Sequence, residues 1–412
     1  MREQTSSHFV GIDIGTSMVR CIIGMLDENN ENEKPSIIGH GSAVNNGMRK
    51  GVVTHIDDVS EAIQQAINEA ERVSGVRVNS ATVNINGAHV LGTNSKGVIA
   101  ISGINREITS EDRQRVEEAA TIVKLPPNRE IIQVFAKNYR LDGQDNIKDP
   151  VGMQGVRLEV DTHILTAATP NIRNLDLVLE KAHIHSTNHT VSSLAAAEAV
   201  LNRQQKESGT VLIDIGAGTT NLMVIEDAEI QHIAILPIGG INITNDLAIG
   251  LKTDLDIAEA VKLQQASLET TNRFRKSAIT IGKQRYVFNN EEIHMVVEAR
   301  VEELLEYVDK ELKKIQRSRK LPGGVVLVGG TAKLPGLAEF TREKLQLAAR
   351  VGTLQPINGL QEAVEDPAYY AAIGLMLLDM LLIPSEHAYS GQKNTPGGFF
   401  SSIESLFRRI LR

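Results

Sequence analysis

Asp214 stands near the end of an apolar run, Val211 to Ile215, and Gly216, Ala217 and Gly218 follow before a second apolar run resumes at Leu222. Strand, glycine turn and strand make a β-hairpin. Gly216 and Gly218 remove two Cβ atoms where the backbone reverses, so N–H groups there can approach an anion such as a phosphate. The Asp214 carboxylate projects toward the same point. It would repel a phosphate unless a hydrated divalent cation such as Mg2+ lay between them. One such motif fits an ordinary glycine hairpin equally well. The sequence holds two, because Phe9 to Ile23 repeats the plan of strand, acid, isoleucine, glycine and small polar residues, with Asp13 in the place of Asp214. The copies lie about 200 residues apart, the size of a domain. The expectation is two related domains, each offering a phosphate hairpin to one cleft.

Those hairpins need a scaffold. At 412 residues and 42% hydrophobic content, the chain is long enough for more than one packed core. A net charge of −8 gives no basic footprint for nucleic acid. The single cysteine, Cys21, excludes a disulfide framework and suits packing inside a strand. Met1 to His8 contain no apolar run of signal-peptide length. The block from Ala371 to Ile383 is too short to span a bilayer and is broken by Asp379, so it reads as a buried helix.

Along the chain, a third strand near Ser36 to Ala43 precedes a helix in which Val59, Ala62, Ile63, Ala66, Ile67, Ala70 and Val73 recur at helical spacing, closed by Gly75. At Ala81 the texture changes to a compact α+β insert. Its strands are expected at 81–85, 97–101, 130–139 and 155–168, with a helix over 110–123 capped by Thr109 or Ser110. Leu141 to Pro150 reads as a solvated loop. A helix over 175–181 follows, then the alanine-rich helix 192–201, whose small side chains suit an element crossing between two domains. Beyond the second hairpin come a strand near 233–240, a helix from about Thr244, a helix over 255–265, a small hairpin around Gly282 and a long amphipathic helix from Ile293 to Ile315. Glu259 and Lys262 lie three apart on one face, a surface ion pair unless a nucleotide lies beside them. Gly324 to Val328 is a buried strand ending in Gly329 and Gly330, a pair that serves either a tight turn or a flat ring laid against the backbone.

In order and spacing, the two Asp-Ile-Gly hairpins, the alanine-rich helix and Val-Gly-Gly before Leu-Pro-Gly-Leu resemble the actin, Hsp70 and sugar-kinase superfamily. Within it the chain is most similar to the FtsA family of actin-like bacterial cell-division proteins. The likeness runs over nearly the whole length and is most particular at Gly47 to Val53, Pro150 to Leu158, Leu236 to Gly240 and Pro367 to Leu375. It implies an α/β, actin-like duplicated two-domain ATPase fold, with an α+β inserted subdomain of the 1C or SHS2 type and a C-terminal amphipathic helix. The implied division is 1–80 with 169–201 and 359–384 as subdomain 1A, 81–168 as 1C, 202–250 with 323–358 as 2A, and 251–322 as 2B. A linker at 385–398 and a membrane-targeting helix at 399–412 complete it.

The resemblance also implies ATP and Mg2+ as ligands. Asp13 and Asp214 would hold the cation through water. Gly15, Thr16, Ser17, Gly216, Gly218 and Thr219 would cradle the phosphates, Glu259 and Lys262 would reach the ribose and base edge, and Gly329 with Gly330 would back the adenine. Asn221 stands where the family usually carries aspartate. An amide cannot accept a proton as a carboxylate does, so at most slow ATP hydrolysis is expected, although asparagine can still position water.

The C-terminus carries a second signal. Pro384 to Gly398 lacks periodicity and is rich in linker residues. After it, Phe399, Phe400, Ile403, Leu406, Phe407, Ile410 and Leu411 fall on one helical face, with Glu404, Arg408, Arg409 and Arg412 opposite. Such a helix docks on its own core, fills a partner groove or lies in a membrane interface. The detaching linker and the arginines favour anionic lipid. One tail binds reversibly, and polymerisation would multiply the tails into firm attachment.

The family likeness further implies FtsZ as partner, its C-terminal tail gripped by 251–322 with Arg300 as a contact; Arg300 reads equally as a solvated helix charge. Self-assembly into a filament, recruitment of downstream division proteins, and a peripheral location on the cytoplasmic face of the inner membrane at the septum complete the expectation. Alternatives are a PilM-like pilus-assembly protein and a superfamily small-molecule kinase, which has no use for an amphipathic tail. An Hsp70-like chaperone would need a substrate domain for which too few residues remain.

Overall fold

A computed structural model describes residues 8–26, 35–103, 105–123, 125–269, 276–281 and 284–382. The expected linker and amphipathic helix, with Phe399, Phe400, Ile403, Leu406, Phe407, Arg408, Arg409, Ile410 and Leu411, lie outside the described residues.

Two sheets share one plan. In the first, His8–Ile14, Met18–Met25 and Ser36–Val44 form an antiparallel meander, and His8–Ile14 pairs on its other side with the parallel strand Ser80–Asn84. In the second, Thr210–Ile215, Thr220–Glu226 and Glu229–Leu236 form the meander, and Thr210–Ile215 pairs in parallel with Gly324–Val328. The leading strand of each meander is central and covered on both faces. It is therefore continuously apolar rather than alternating, with every residue from Phe9 to Ile14 and from Thr210 to Ile215 buried. One core joins the first sheet to a face of the second, through Leu212, Met223, Ile233 and Val326, and another core packs on the second sheet's opposite face, at Val211, Ile213, Val224 and Leu327.

The alanine-rich helix Ser192–Val200 is buried except at Glu198. Helix Tyr370–Leu382 packs across it at Gly374, where a Cβ would collide with the Ala195 carbonyl. Asp379, the acid interrupting this helix, is buried and fully engaged: it accepts from Val10 N at 2.9 Å, Thr82 Oγ1 at 2.9 Å and Thr187 Oγ1 at 2.8 Å.

The insert is a four-stranded antiparallel sheet in the spatial order Leu91–Ala100, Arg157–Ala168, Arg129–Leu141, Gln144–Ile147. Helix Ser110–Thr121 covers it, and Thr109 closes a capping box with Asp112. The expected loop at 141–150 is instead a hairpin, since Gln144–Ile147 returns along Arg129–Leu141. Its turn residues, Asp142 and Gly143, are both left-handed, with φ of 48° and 89°. Asp-Gly meets this demand of a tight hairpin turn. The helix expected from Thr244 starts four residues earlier, spanning Gly240–Leu251, because Gly240 N and Ile241 N donate to Gly216 O and Ala217 O at 2.9 and 2.8 Å. The helix N-terminus is thus bonded to the second hairpin turn.

The insert shields the edge of the second sheet. His163 Nε2 accepts from the backbone N–H of Ile233 at 3.1 Å, its Nδ1 lies 2.8 Å from Asn94 Oδ1, and Lys137 Nζ donates to Gln231 O at 2.7 Å. An otherwise unpaired strand edge is covered and its polar groups satisfied.

Candidate functional site

Both hairpins turn in the same way. Gly15 N donates to Met18 O at 3.0 Å, and Gly216 N donates to Thr219 O at 2.9 Å. The turns face a single cavity of about 510 Å3, within the range of nucleotide and cofactor pockets. Asp13, Gly15, Thr16 and Ser17 line one side, Asp214, Gly216, Thr219 and Asn221 another, and Glu259, Lys262, Gly329 and Gly330 reach the same space. Gly218 does not line the cavity; it packs against Thr16 of the opposite hairpin.

The two aspartates are buried. Burial pushes the Asp13 carboxyl up to about 6, against the pull of the Arg20 guanidinium. It pushes Asp214 up to about 7, with the Asp13 charge adding to the rise and the Asn221 hydrogen bond and Arg20 opposing it. Two acids held this way favour a shared proton or a cation. No group of three or more His, Cys, Asp or Glu side chains able to cage a metal occurs among the described residues. This donor set fits Mg2+, which keeps most of its waters and takes one or two carboxylates together with phosphate oxygens. Bound there, the cation would neutralise both carboxylates and the phosphates facing them.

Asn221 pairs with Asp214 in register across the hairpin, and its Nδ2 lies 3.4 Å from Asp214 Oδ2. Its Oδ1 is buried with no partner among the described residues, an acceptor left for a water or ligand group. Lys262 Nζ lies 2.6 Å from Glu259 Oε2 and 2.9 Å from Thr244 Oγ1, so the pair expected from spacing is a wall of the cavity. Gly329, at φ 85°, does more than make a turn: any Cβ there would strike Asp214 Oδ1. Leu334, Pro335, Ala266 and Leu263 supply apolar wall near the paired glycines.

Sequence reasoning passed over Arg20, Asn84, Asn86 and Ser192. Arg20 is the cross-strand partner of Asp13, and its guanidinium lies 5.2 Å from the Tyr369 ring centre. A lone base in an apolar strand opposite an acid was the available signal. Asn84 Nδ2 donates to Asp13 Oδ1 at 2.5 Å and to Ser192 Oγ at 3.1 Å, while Asn86 Nδ2 donates to the same hydroxyl at 2.6 Å. Two asparagines at alternate positions, ending a buried strand, could have pointed to them. Arg300, by contrast, lies away from the cavity lining and is bonded to Asp246 at 2.9 Å and to Glu303 at 2.5 Å.

Comparison with known proteins places this architecture. Residues 87–166 match the model "SHS2 domain inserted in FTSA", and residues 211–374 match "Cell division protein FtsA". The chain is 37% identical to cell division protein FtsA of Bacillus subtilis over 89% of this chain and 82% of the relative. It is 33% identical to that of Pseudomonas aeruginosa over 91% and 89%. Among solved structures, a PilM-PilN type IV pilus biogenesis complex superposes with a TM-score of 0.66 at 16% identity, covering 90% of this chain and 98% of the other. MreB5 of Spiroplasma citri bound to ADP superposes with a TM-score of 0.53 at 14% identity, covering 90% and 96%. These structures share the actin-like fold. With its inserted SHS2 subdomain and its one-third identity to several curated relatives over nine-tenths of its length, the chain belongs to the FtsA family of cell division proteins.

Proposed function

We propose that this cell division protein binds ATP with Mg2+ in the shared cleft, polymerises on the cytoplasmic face of the inner membrane at the septum, and tethers FtsZ filaments there. The observation that carries the nucleotide reading is the convergence of two duplicated Asp-Ile-Gly turns, each with a buried acid, on one cavity. In this reading Asp13 and Asp214 hold Mg2+ through water, the turn residues receive the phosphates, Glu259 and Lys262 face the ribose, and Gly329 with Gly330 back the base. In this reading subdomains 1A and 2A carry the hairpins, 1C is the insert and 2B is residues 251–322. Hydrolysis is slow, because Asn221 supplies an amide where a proton acceptor would be needed. Steady-state turnover by the purified chain that is fast and abolished by Asp214→Ala would contradict this.

The tail of FtsZ docks on 2B, and self-assembly gathers enough C-terminal helices to hold anionic lipid while downstream division proteins bind the insert. Arg300 can meet an acidic tail only by exchanging its ion pairs with Asp246 and Glu303. Sedimentation with anionic vesicles, with and without ATP and an FtsZ tail peptide, tests the whole. The full chain should pellet with lipid and carry the peptide, whereas truncation after Gly397 or Phe407→Glu should leave it in solution. Lipid-independent behaviour of the truncated and full chains would refute the tether.

A further inference from the structure

The two halves of the cleft treat their aspartates differently. In the first half, the strand parallel to His8–Ile14 ends in Asn84, which is almost wholly buried. Asn84 Oδ1 accepts from Ile14 N at 2.7 Å, and its Nδ2 donates both to Asp13 Oδ1 at 2.5 Å and to Ser192 Oγ at 3.1 Å. Every polar atom of this side chain is committed, and the direction of its amide is settled by the Ile14 donor. Asp13 Oδ1 is therefore occupied and its rotamer held. The remaining oxygen, Oδ2, lies toward the phosphate turn, 3.9 Å from where a Cβ on Gly15 would stand. In the second half, the equivalent parallel strand pairs Val328 with Asp214 and then continues as bare Gly329. Asp214 has no amide clamp from that side; its side-chain partner is Asn221 at 3.4 Å.

Deepening the nucleotide reading and resting on it, we propose that Asn84 is a positioning residue that fixes Asp13 as the rigid anchor for the hydrated cation, and that Ser192 locks Asn84 in turn. Ser192 is the first residue of the helix crossing between the domains, and Asn86, also on the cavity wall, donates to the same hydroxyl at 2.6 Å. The clamp therefore ties the orientation of Asp13 to the seat of that helix. A partner that orients a cation-facing carboxylate acts on the cation's share of binding, and loss of such a partner typically costs about 10- to 100-fold in metal affinity.

The test is ATP affinity of the full chain, measured by calorimetry in Mg2+ and again in EDTA, with the ligand-free thermal midpoint as a fold control. Asn84→Ala is expected to weaken binding in Mg2+ by about 10- to 100-fold and to change it less than about twofold in EDTA. Ser192→Ala, which removes only the hydroxyl, is expected to weaken binding by about threefold in Mg2+ alone. Equal losses with and without Mg2+, or unchanged affinity of Asn84→Ala in Mg2+, would overturn the proposal. If Asn84→Ala does not fold, Ser192→Ala decides by the same criterion. A wild-type chain that binds no ATP in either buffer would defeat the nucleotide reading itself, an outcome distinct from wild-type binding that Asn84→Ala leaves intact.

Discussion

Gly218 of the second hairpin lies against Thr16 of the first, so closely that a Cβ at position 218 would stand 2.7 Å from Thr16 Oγ1 and 2.8 Å from its Cγ2. The two glycine turns touch each other directly. Thr16 Oγ1 also accepts from Gly51 N at 3.1 Å, so it cannot swing aside without losing that bond. Gly218→Val should therefore prise the domains apart, with at least a tenfold loss of nucleotide affinity, while Gly218→Ala should give an intermediate loss. Calorimetric titration with MgATP checks both; wild-type affinity in the valine variant would show that the contact does not control the cleft.

The buried acid pair makes a prediction about pH. The folded chain keeps protons on Asp13 and Asp214 that unfolded carboxyls release near 3.8. That contribution to stability is complete below the unfolded value and is lost as pH rises through about 6 for Asp13 and about 7 for Asp214. At about 1.4 kcal/mol per unit, the loss amounts to a few kcal/mol between pH 4 and 7. Urea midpoints of the ligand-free chain should fall from pH 5 to pH 8, MgATP should restore the loss, and Asp214→Asn should flatten the slope. Identical slopes for the wild type and Asp214→Asn would exclude this origin.

His163 is expected to matter as an acceptor. Burial, with the nearby Lys137 charge and His232 adding, pushes its imidazole down to about 3, so the neutral ring that receives Ile233 N persists in the fold. Its contribution is lost as pH falls from the ordinary value of 6.5 toward 3. His163→Ala strands a buried N–H at a sheet edge, at a cost of about 1–3 kcal/mol. Amide exchange along Glu229–Leu236 should quicken in this variant more than exchange in the first sheet; uniform quickening would mean general destabilisation instead.

Asp379 binds three donors from three separate elements. Asp379→Leu would leave Val10 N buried without an acceptor, at a cost of about 1–3 kcal/mol, and would leave the Thr82 and Thr187 hydroxyls with only the 3.0 Å bond between them. A drop of about 1–3 kcal/mol in chemical denaturation is expected, and Asp379→Asn should lose less because it keeps an acceptor. A neutral leucine variant would imply that the helix can shift to rehydrate these groups.

Much of the architecture was legible because the elements are locally encoded. The helix ending at Gly75 follows apolar spacing and a left-handed cap, observed at φ 74°. The paired strands of both hairpins follow runs rich in Val, Ile and Leu around a glycine turn. The hairpin at Asp142-Gly143 was equally encoded, yet its polar residues resembled a loop, since both faces of that edge strand are mostly solvated. The early start of the helix at Gly240 was not encoded locally, because its first N–H groups are satisfied by carbonyls of the distant turn at Gly216 and Ala217.

By itself the sequence determined the kind of chemistry: two acids beside two glycine turns, repeated a domain apart on strands apolar enough to be central. Local side-chain type and spacing suffice for that, since they set backbone conformation and burial. Only the tertiary structure decided that Gly218 belongs to the contact between turns, that Gly329 makes room for Asp214, and that Asn84 and Ser192 hold Asp13. Those are distances of a few ångströms between residues remote in the chain. They depend on sheet register and domain closure, which no window of neighbouring residues specifies.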